Sequence, residues 1–192
     1  MSHPDLWILR HGQTQWNLAG RMQGWKDSPL TALGQSQARQ QNALLQQADL
    51  PRDVGFHVSP LGRCRATAEL ALAGLCDAPL VDDRLKEVSV GMFEGLTLRD
   101  VETDWPGITD TVDGISFHYR APGGERLDGF RARIDAWLQD LSGPTVVVTH
   151  GMVSREMRGI LLGLDAAGAA DLPGGQGNIY KVSGGEMTAI EA

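Results

Sequence analysis

The stretch that decides the reading is Leu6-Trp7-Ile8-Leu9-Arg10-His11-Gly12-Gln13-Thr14-Gln15-Trp16-Asn17. Residues 6–9 are apolar throughout and end at a sharp polar switch. A run this short and this apolar predicts a strand buried on both faces of a parallel sheet. Arg10 and His11 then stand at its carboxyl end, the end outside which open α/β sheets bind ligands. Gly12 predicts a close backbone approach to a ligand, or a positive φ as the chain leaves the strand.

A second stretch has the same grammar. Pro144-Thr145-Val146-Val147-Val148-Thr149 reads as a buried strand that ends in His150-Gly151, with a helix expected over residues 152–164. On neighbouring strands the two imidazoles would face each other across one crevice. The helix after His150 would point its free N–H groups into the same space, which favours an anion. One histidine at a strand end is ordinarily structural, but packing does not explain two strands stopping at the same dipeptide.

The bulk properties bound the rest. The 192 residues suit one domain, residues 1–192, with a sizeable core. No apolar run approaches the ~20 residues of a spanning helix. The opening Met-Ser-His-Pro-Asp lacks the basic and apolar regions of a secretory signal. A cytoplasmic protein is expected. A net charge of −7 argues against nucleic acid or an anionic membrane as partner, but not against a small anion held by local arginines. Cys64 and Cys76 are expected to be free thiols in a reducing compartment. Oligomeric state is not legible.

In chain order, residues 18–29 read as a loop over the first strand's end. Thr31 is expected to cap a helix to about residue 48. A strand follows over 54–58. Ser59 as cap and Pro60 at the first helical position then predict the start of the next helix. This puts Arg63 in the first turn, facing the crevice, with Arg65 about 200° around the helix. A short strand is expected at 79–81 and a helix capped by Thr97 running to Trp105. An irregular, aromatic-bearing flap over 108–124 and an amphipathic helix over 125–141 complete that half. A Gly- and Pro-rich segment over 168–177 leads to an edge strand at 179–183.

The parts that carry chemistry are His11, His150, Arg10, Arg63 and a carboxylate, Glu87 or Glu94. There is no HExxH, no clustered aspartates and no phosphate-binding Gly-x-x-x-x-Gly-Lys, so neither a metal nor a cofactor is expected. Guanidinium forks around an imidazole suit an oxyanion with several equatorial oxygens, such as a phosphoryl group in transfer. Histidine itself can be the nucleophile.

These residues also carry a resemblance. Arg10-His11-Gly12-x-Thr14-x-Trp16-Asn17, Gly24-Trp25-x-Asp27-Ser-Pro-Leu-Thr31, Ser59-Pro-Leu-x-Arg63, Leu85-x-Glu87-x-x-x-Gly91-x-x-Glu94-Gly95, Gly123-Gly124-Glu125 and Thr149-His150-Gly151 run in order along the chain. The chain thereby resembles the histidine phosphatase superfamily, the phosphoglycerate-mutase-like proteins. The resemblance implies a three-layer α/β/α fold around a mostly parallel sheet. It implies His11 as nucleophile, with Arg10, Arg63 and His150 clamping the phosphoryl oxygens. Glu87 matches the general acid that later activates water, and Glu94 is its rival. Asn17, Gln23 and Gly24 fall in the substrate loop, with Gly151 and Met152 beside the second histidine. His118, Tyr119 and Arg120 in the flap are candidates to touch substrate, as is Arg126, which stands where the family has Ser.

Where the family's primer-dependent mutases carry Glu-Arg-His-Tyr-Gly, this chain reads Glu87-Val88-Ser89-Val90-Gly91, and it is shorter. The resemblance therefore implies the phosphatase branch: hydrolysis of a small phosphorylated metabolite, with mutase-type transfer as the alternative. A non-catalytic phosphate-binding module would ordinarily have lost the nucleophile, a clamp or the acid, and none is lost here.

Overall fold

The computed structural model describes residues 3–111 and 113–191. Met1 and Ser2 of the opening segment, Val112 of the flap and Ala192 lie outside the described residues. The strands are β1 (Leu6–Arg10), β2 (Gly55–Val58), β3 (Leu80–Val81), β4 (Thr145–Thr149), β5 (Ile179–Ser183) and β6 (Glu186–Ile190). The helices are α1 (Gln15–Leu18), α2 (Ala32–Gln47), α3 (Gly62–Ala71), α4 (Leu98–Asp104), α5 (Leu127–Gln139), α6 (Gly151–Leu161) and α7 (Ala166–Ala170).

The apolar runs do what their composition dictates. Successive side chains of a strand point to opposite faces. Leu6 and Ile8 accordingly enter one core cluster and Trp7 and Leu9 the other, all buried. In β4, Val147 faces the first cluster and Val146 and Val148 the second. Phe130, Ile134, Trp137 and Leu138 of α5, with Val153 and Met157 of α6, cover one face. Leu44 and Leu45 of α2, with Cys64, Ala68 and Ala71 of α3, cover the other. The result is three layers around a six-stranded sheet of order β3-β2-β4-β1-β5-β6. Strands β1 to β4 pair in parallel, and β5 and β6 run antiparallel to their neighbours.

The register positions the site. Arg10 pairs with Thr149 across β1 and β4, so both strands end at one level, and the His11 N–H donates to the Thr149 carbonyl at 2.9 Å. The two His-Gly dipeptides leave the sheet side by side.

Several sequence expectations are corrected. Strand β5 is not the edge: β1 bonds it on one side and β6 on the other. Gly184 and Gly185, at φ 58° and 82°, supply the tight turn between β5 and β6 that a Gly-Gly pair favours. Helix α3 starts at Gly62 with Leu61 as cap, rather than at Pro60 with Ser59. Its first N–H groups are taken instead by a carboxylate from a distant loop: Asp27 accepts from Gly62 at 2.6 Å and Arg63 at 3.3 Å. Gly12 does not have positive φ. A Cβ there would lie 2.2 Å from the Gly34 carbonyl oxygen, so this glycine serves backbone packing against α2.

Candidate active site

A cavity of about 260 Å³ opens over the carboxyl ends of β1 and β4. It is lined by Arg10, His11, Asn17, Gln23, Gly24, Arg63, Glu87, Gly151 and Met152, nine of the ten residues that the sequence points to as catalytic or substrate-binding, the rival Glu94 and the flap candidates aside. The tenth, His150, lies fully buried directly behind His11, with ring centroids 5.3 Å apart.

His11 is fixed by its backbone. Its Nδ1 lies 2.8 Å from the Gly12 carbonyl oxygen, which can only accept, so Nδ1 carries the proton and Nε2 keeps its lone pair. Burial, and then the positive charges of Arg63 and Arg10, hold its pKa well below the ordinary imidazole value. The ring is neutral at neutral pH, the form a nitrogen nucleophile requires.

Arg10 turns its guanidinium across Gly151, where an added Cβ would lie 3.3 Å from Cζ. Its Nε is buried and has no hydrogen-bond partner among the described residues. Arg63 is the opposite case. Its Nη1 donates to the Lys26 carbonyl at 2.7 Å and to Asp27 Oδ1 at 2.9 Å, and Nη2 donates to the Gly24 carbonyl at 2.8 Å. Its Nε donates to His150 Nδ1 at 3.2 Å. Asp27 therefore both caps α3 and orients its arginine. The motif Gly24-Trp25-x-Asp27 held that signal, but spacing alone did not show which side chain Asp27 would meet. Arg65 is exposed on the other side of α3.

His150 shows a role that the sequence did not. With Arg63 donating to Nδ1, the proton sits on Nε2, which donates to Ser59 Oγ at 2.7 Å. Both nitrogens are engaged, and burial with the nearby Arg63 keeps its pKa well below the ordinary value. In this structure it braces Arg63 rather than presenting an N–H to the cavity. Cys64 packs against the same ring and donates to the Thr149 carbonyl, and burial pushes its thiol pKa well up. Cys64 and Cys76 are both free.

Glu87 reaches the start of α6. Its oxygens accept from the N–H groups of Met152 at 3.2 Å, Val153 at 3.4 Å and Val88 at 3.0 Å. A helix N-terminus favours a carboxylate there. Its segment is braced by Arg133, which donates to the Glu87 carbonyl at 3.0 Å and pairs with Glu125 at 2.8 Å. The rival, Glu94, does not line the cavity. It accepts from the Trp25 N–H at 2.9 Å and holds the loop that carries Gln23 and Gly24.

Asn17 and Thr14 form a capping box on α1, and Gln176 donates to Asn17 Oδ1 at 3.3 Å and to the His11 carbonyl at 2.9 Å. Of the flap candidates, only His118 lines the cavity. Tyr119 donates to Glu156, Arg126 donates to the Tyr119 carbonyl, and Arg120 does not line the cavity. His57 is structural and accepts from the Trp137 indole at 3.2 Å. Among the described residues no group of three His, Cys, Asp or Glu side chains is placed to hold a metal, and no helix is long and apolar enough to cross a membrane. Sequence reasoning missed Arg21, Arg155, Arg158 and Tyr180 as lining residues.

The family model for the histidine phosphatase superfamily, branch 1, matches residues 6–189. The chain belongs to this superfamily. It is 35% identical over 182 residues to the probable phosphoglycerate mutase GpmB of Shigella boydii, covering 88% of this chain and 79% of that one. Among solved structures, the α-ribazole phosphatase of Shigella flexneri is 26% identical with a TM-score of 0.78, covering 96% of this chain and 93% of that one. A mycobacterial glucosyl-3-phosphoglycerate phosphatase, solved with VO3, is 28% identical with a TM-score of 0.75, covering 97% and 96%. Superfamily members with this arrangement are phosphatases or mutases, and this chain is an enzyme of that kind.

Proposed function

We propose that the chain is a metal-independent phosphomonoesterase that hydrolyses a small phosphorylated metabolite through a phosphohistidine on His11. The observation that carries this reading is the Nδ1–H bond to the Gly12 carbonyl, which leaves an unprotonated Nε2 in a cavity walled by Arg10, Arg63 and Glu87. Nε2 attacks phosphorus as the ester P–O bond breaks, and the departing oxygen takes a proton from Glu87. Water then attacks the phosphohistidine, Glu87 takes its proton, the P–N bond breaks, and phosphate leaves with His11 neutral again. Arg10 and Arg63 stabilise the charge on the equatorial oxygens, where removing one such donor lowers rates by about 10²–10³.

The VO3 taken by the mycobacterial relative supports a site for a phosphoryl-like oxyanion. The names of the solved relatives support hydrolysis, whereas that of GpmB supports phosphoryl transfer to a second hydroxyl. Val88-Ser89-Val90 after the acid, in place of Arg-His-Tyr, favours hydrolysis. Two free cysteines suit a reducing, cytoplasmic setting. A net charge of −7 does not suit nucleic acid or an anionic membrane as partner.

The test is phosphate release from phenyl phosphate in EDTA. Wild type should turn over, and His11→Ala should lose at least about 10⁴-fold, with the labelled acid-labile phosphoenzyme absent. An active His11→Ala enzyme would overturn the reading. Turnover only with phosphoglycerate and a bisphosphoglycerate primer would replace it with the mutase.

A further inference from the structure

His11 stands on a segment, residues 11–13, that belongs to no strand or helix. Such a segment has no ladder of its own, so its buried N–H and C=O groups need partners from elsewhere. Each of them has one. The Arg10 carbonyl accepts from Gln41 Nε2 at 3.0 Å, and the His11 N–H donates to the Thr149 carbonyl. The His11 carbonyl accepts from Gln176 at 2.9 Å, and the Gly12 N–H donates to Thr67 Oγ1 at 3.1 Å. The Gly12 carbonyl accepts from His11 Nδ1. The Gln13 N–H donates to Gln37 Oε1 at 2.8 Å, and the Gln13 carbonyl accepts from the Thr31 N–H at 2.9 Å.

Three of these partners come from one face of α2 and its cap, where Thr31, Gly34, Gln37 and Gln41 follow at spacings of three and four. Gly34 packs its backbone against Gln13 and leaves no room for a Cβ. Gln37 is confined from the other side by Gly177, where an added Cβ would stand 3.3 Å from Gln37 Cγ.

The Gln37 bond bears directly on the nucleophile. The Gly12 carbonyl and the Gln13 N–H are two ends of a single planar peptide, so anchoring the N–H aims the carbonyl. A hydrogen bond at one end also polarises the other. That carbonyl is what keeps the His11 proton on Nδ1. A neutral imidazole not so held places its proton on either nitrogen, and only one form leaves Nε2 free to attack.

We infer that Gln37 is a positioning residue for the reaction: through the Gly12–Gln13 peptide it sets the tautomer of His11. It does not line the cavity and acts without touching substrate. The inference rests on His11 as the nucleophile and adds the side chain that keeps it in its reactive form.

The experiment pairs a spectroscopic readout with kinetics on the full chain. Long-range proton–nitrogen correlation spectra of ¹⁵N-histidine-labelled protein at neutral pH, assigned with His11→Ala, show which ring nitrogen of His11 is protonated. Wild type should show a protonated Nδ1 and a bare Nε2. Gln37→Leu, which removes the acceptor, should populate the other tautomer. Its kcat for phenyl phosphate should fall about three- to tenfold with KM within about twofold, the size of one neutral hydrogen bond. Gln37→Glu, which keeps an acceptor, should recover the Nδ1–H form and most of the rate. An unchanged tautomer in Gln37→Leu overturns the inference whatever the rate does, because a merely structural role would lower Tm and activity without moving the ring proton. A tautomer as disturbed in Gln37→Glu as in Gln37→Leu overturns it too. If Gln37→Leu does not fold, Gln37→Lys, which also lacks an acceptor, is read in its place. A shifted tautomer with kcat unchanged sustains Gln37 as the residue that sets it, and counts instead against His11 as the nucleophile.

Discussion

The two ends of the cavity are built on different plans. At the His11 end three groups are held by backbone or by committed partners: His11 by Gly12, Arg63 by Asp27 and three further acceptors, Glu87 by three N–H groups, while Arg10 Nε has no protein partner among the described residues. The far end is made of α6 arginines, a glycine loop and His118 from the flap; Arg158 donates to the Pro173 carbonyl and Tyr180 to the Gly174 carbonyl, whereas Arg155 makes one protein hydrogen bond among the described residues. On the proposed reading, the difference separates chemistry from selection. A reacting centre tolerates little displacement, because a misplacement of about 1 Å lowers rates by about 10²-fold, whereas a recognition wall can adapt to what it meets.

Removing the strut of the rigid end should have the largest effect. Asp27→Ala frees Arg63 and uncaps α3, and kcat/KM for phenyl phosphate should fall about a hundredfold while Tm drops. Asp27→Asn, which keeps an acceptor, should recover part of the activity. If steady-state kinetics show Asp27→Ala within threefold of wild type, Arg63 does not depend on that strut and the contrast dissolves.

A thermal scan against pH sharpens the comparison next. Burial is the leading cause that lowers the pKa of His11, His150, His118 and His57 below the ordinary value near 6.5. Below that value the unfolded chain binds protons that the fold refuses, so stability is fully present above pH 6.5 and is lost as pH falls. Tm should decline by several degrees between pH 7 and 5. A flat profile would mean that these imidazoles are protonated in the folded protein. Because His11 stays neutral below pH 6.5, the acid limb of kcat/KM attributable to it should also lie below that value.

The smallest effect belongs to the far wall. His118 donates from Nδ1 to the Ile115 carbonyl at 2.6 Å, leaving Nε2 as its acceptor. His118→Ala should change kcat/KM for phenyl phosphate by less than about fivefold, as for loss of one neutral hydrogen bond. A hundredfold loss would place His118 at the reacting centre and erase the division between the two ends.

What the sequence by itself determined was whatever is written in adjacent residues. An apolar run that ends in Arg10-His11-Gly12 specifies a buried strand with its chemistry at the carboxyl end, because alternation and burial act locally. Thr31 and Thr97 as caps were legible for the same reason, since a cap bonds only two or three residues on. The tertiary structure alone decided what depends on residues meeting across the chain. Asp27 caps α3 from 35 residues away, overriding the local signal of Ser59-Pro60, because an ionised carboxylate at a helix N-terminus outcompetes a hydroxyl already bonded to His150. Register set His150 behind His11 rather than opposite it across a crevice. Arg155 and Arg158 line the cavity only because α6 turns them onto it, and a charge gains meaning from what surrounds it in space.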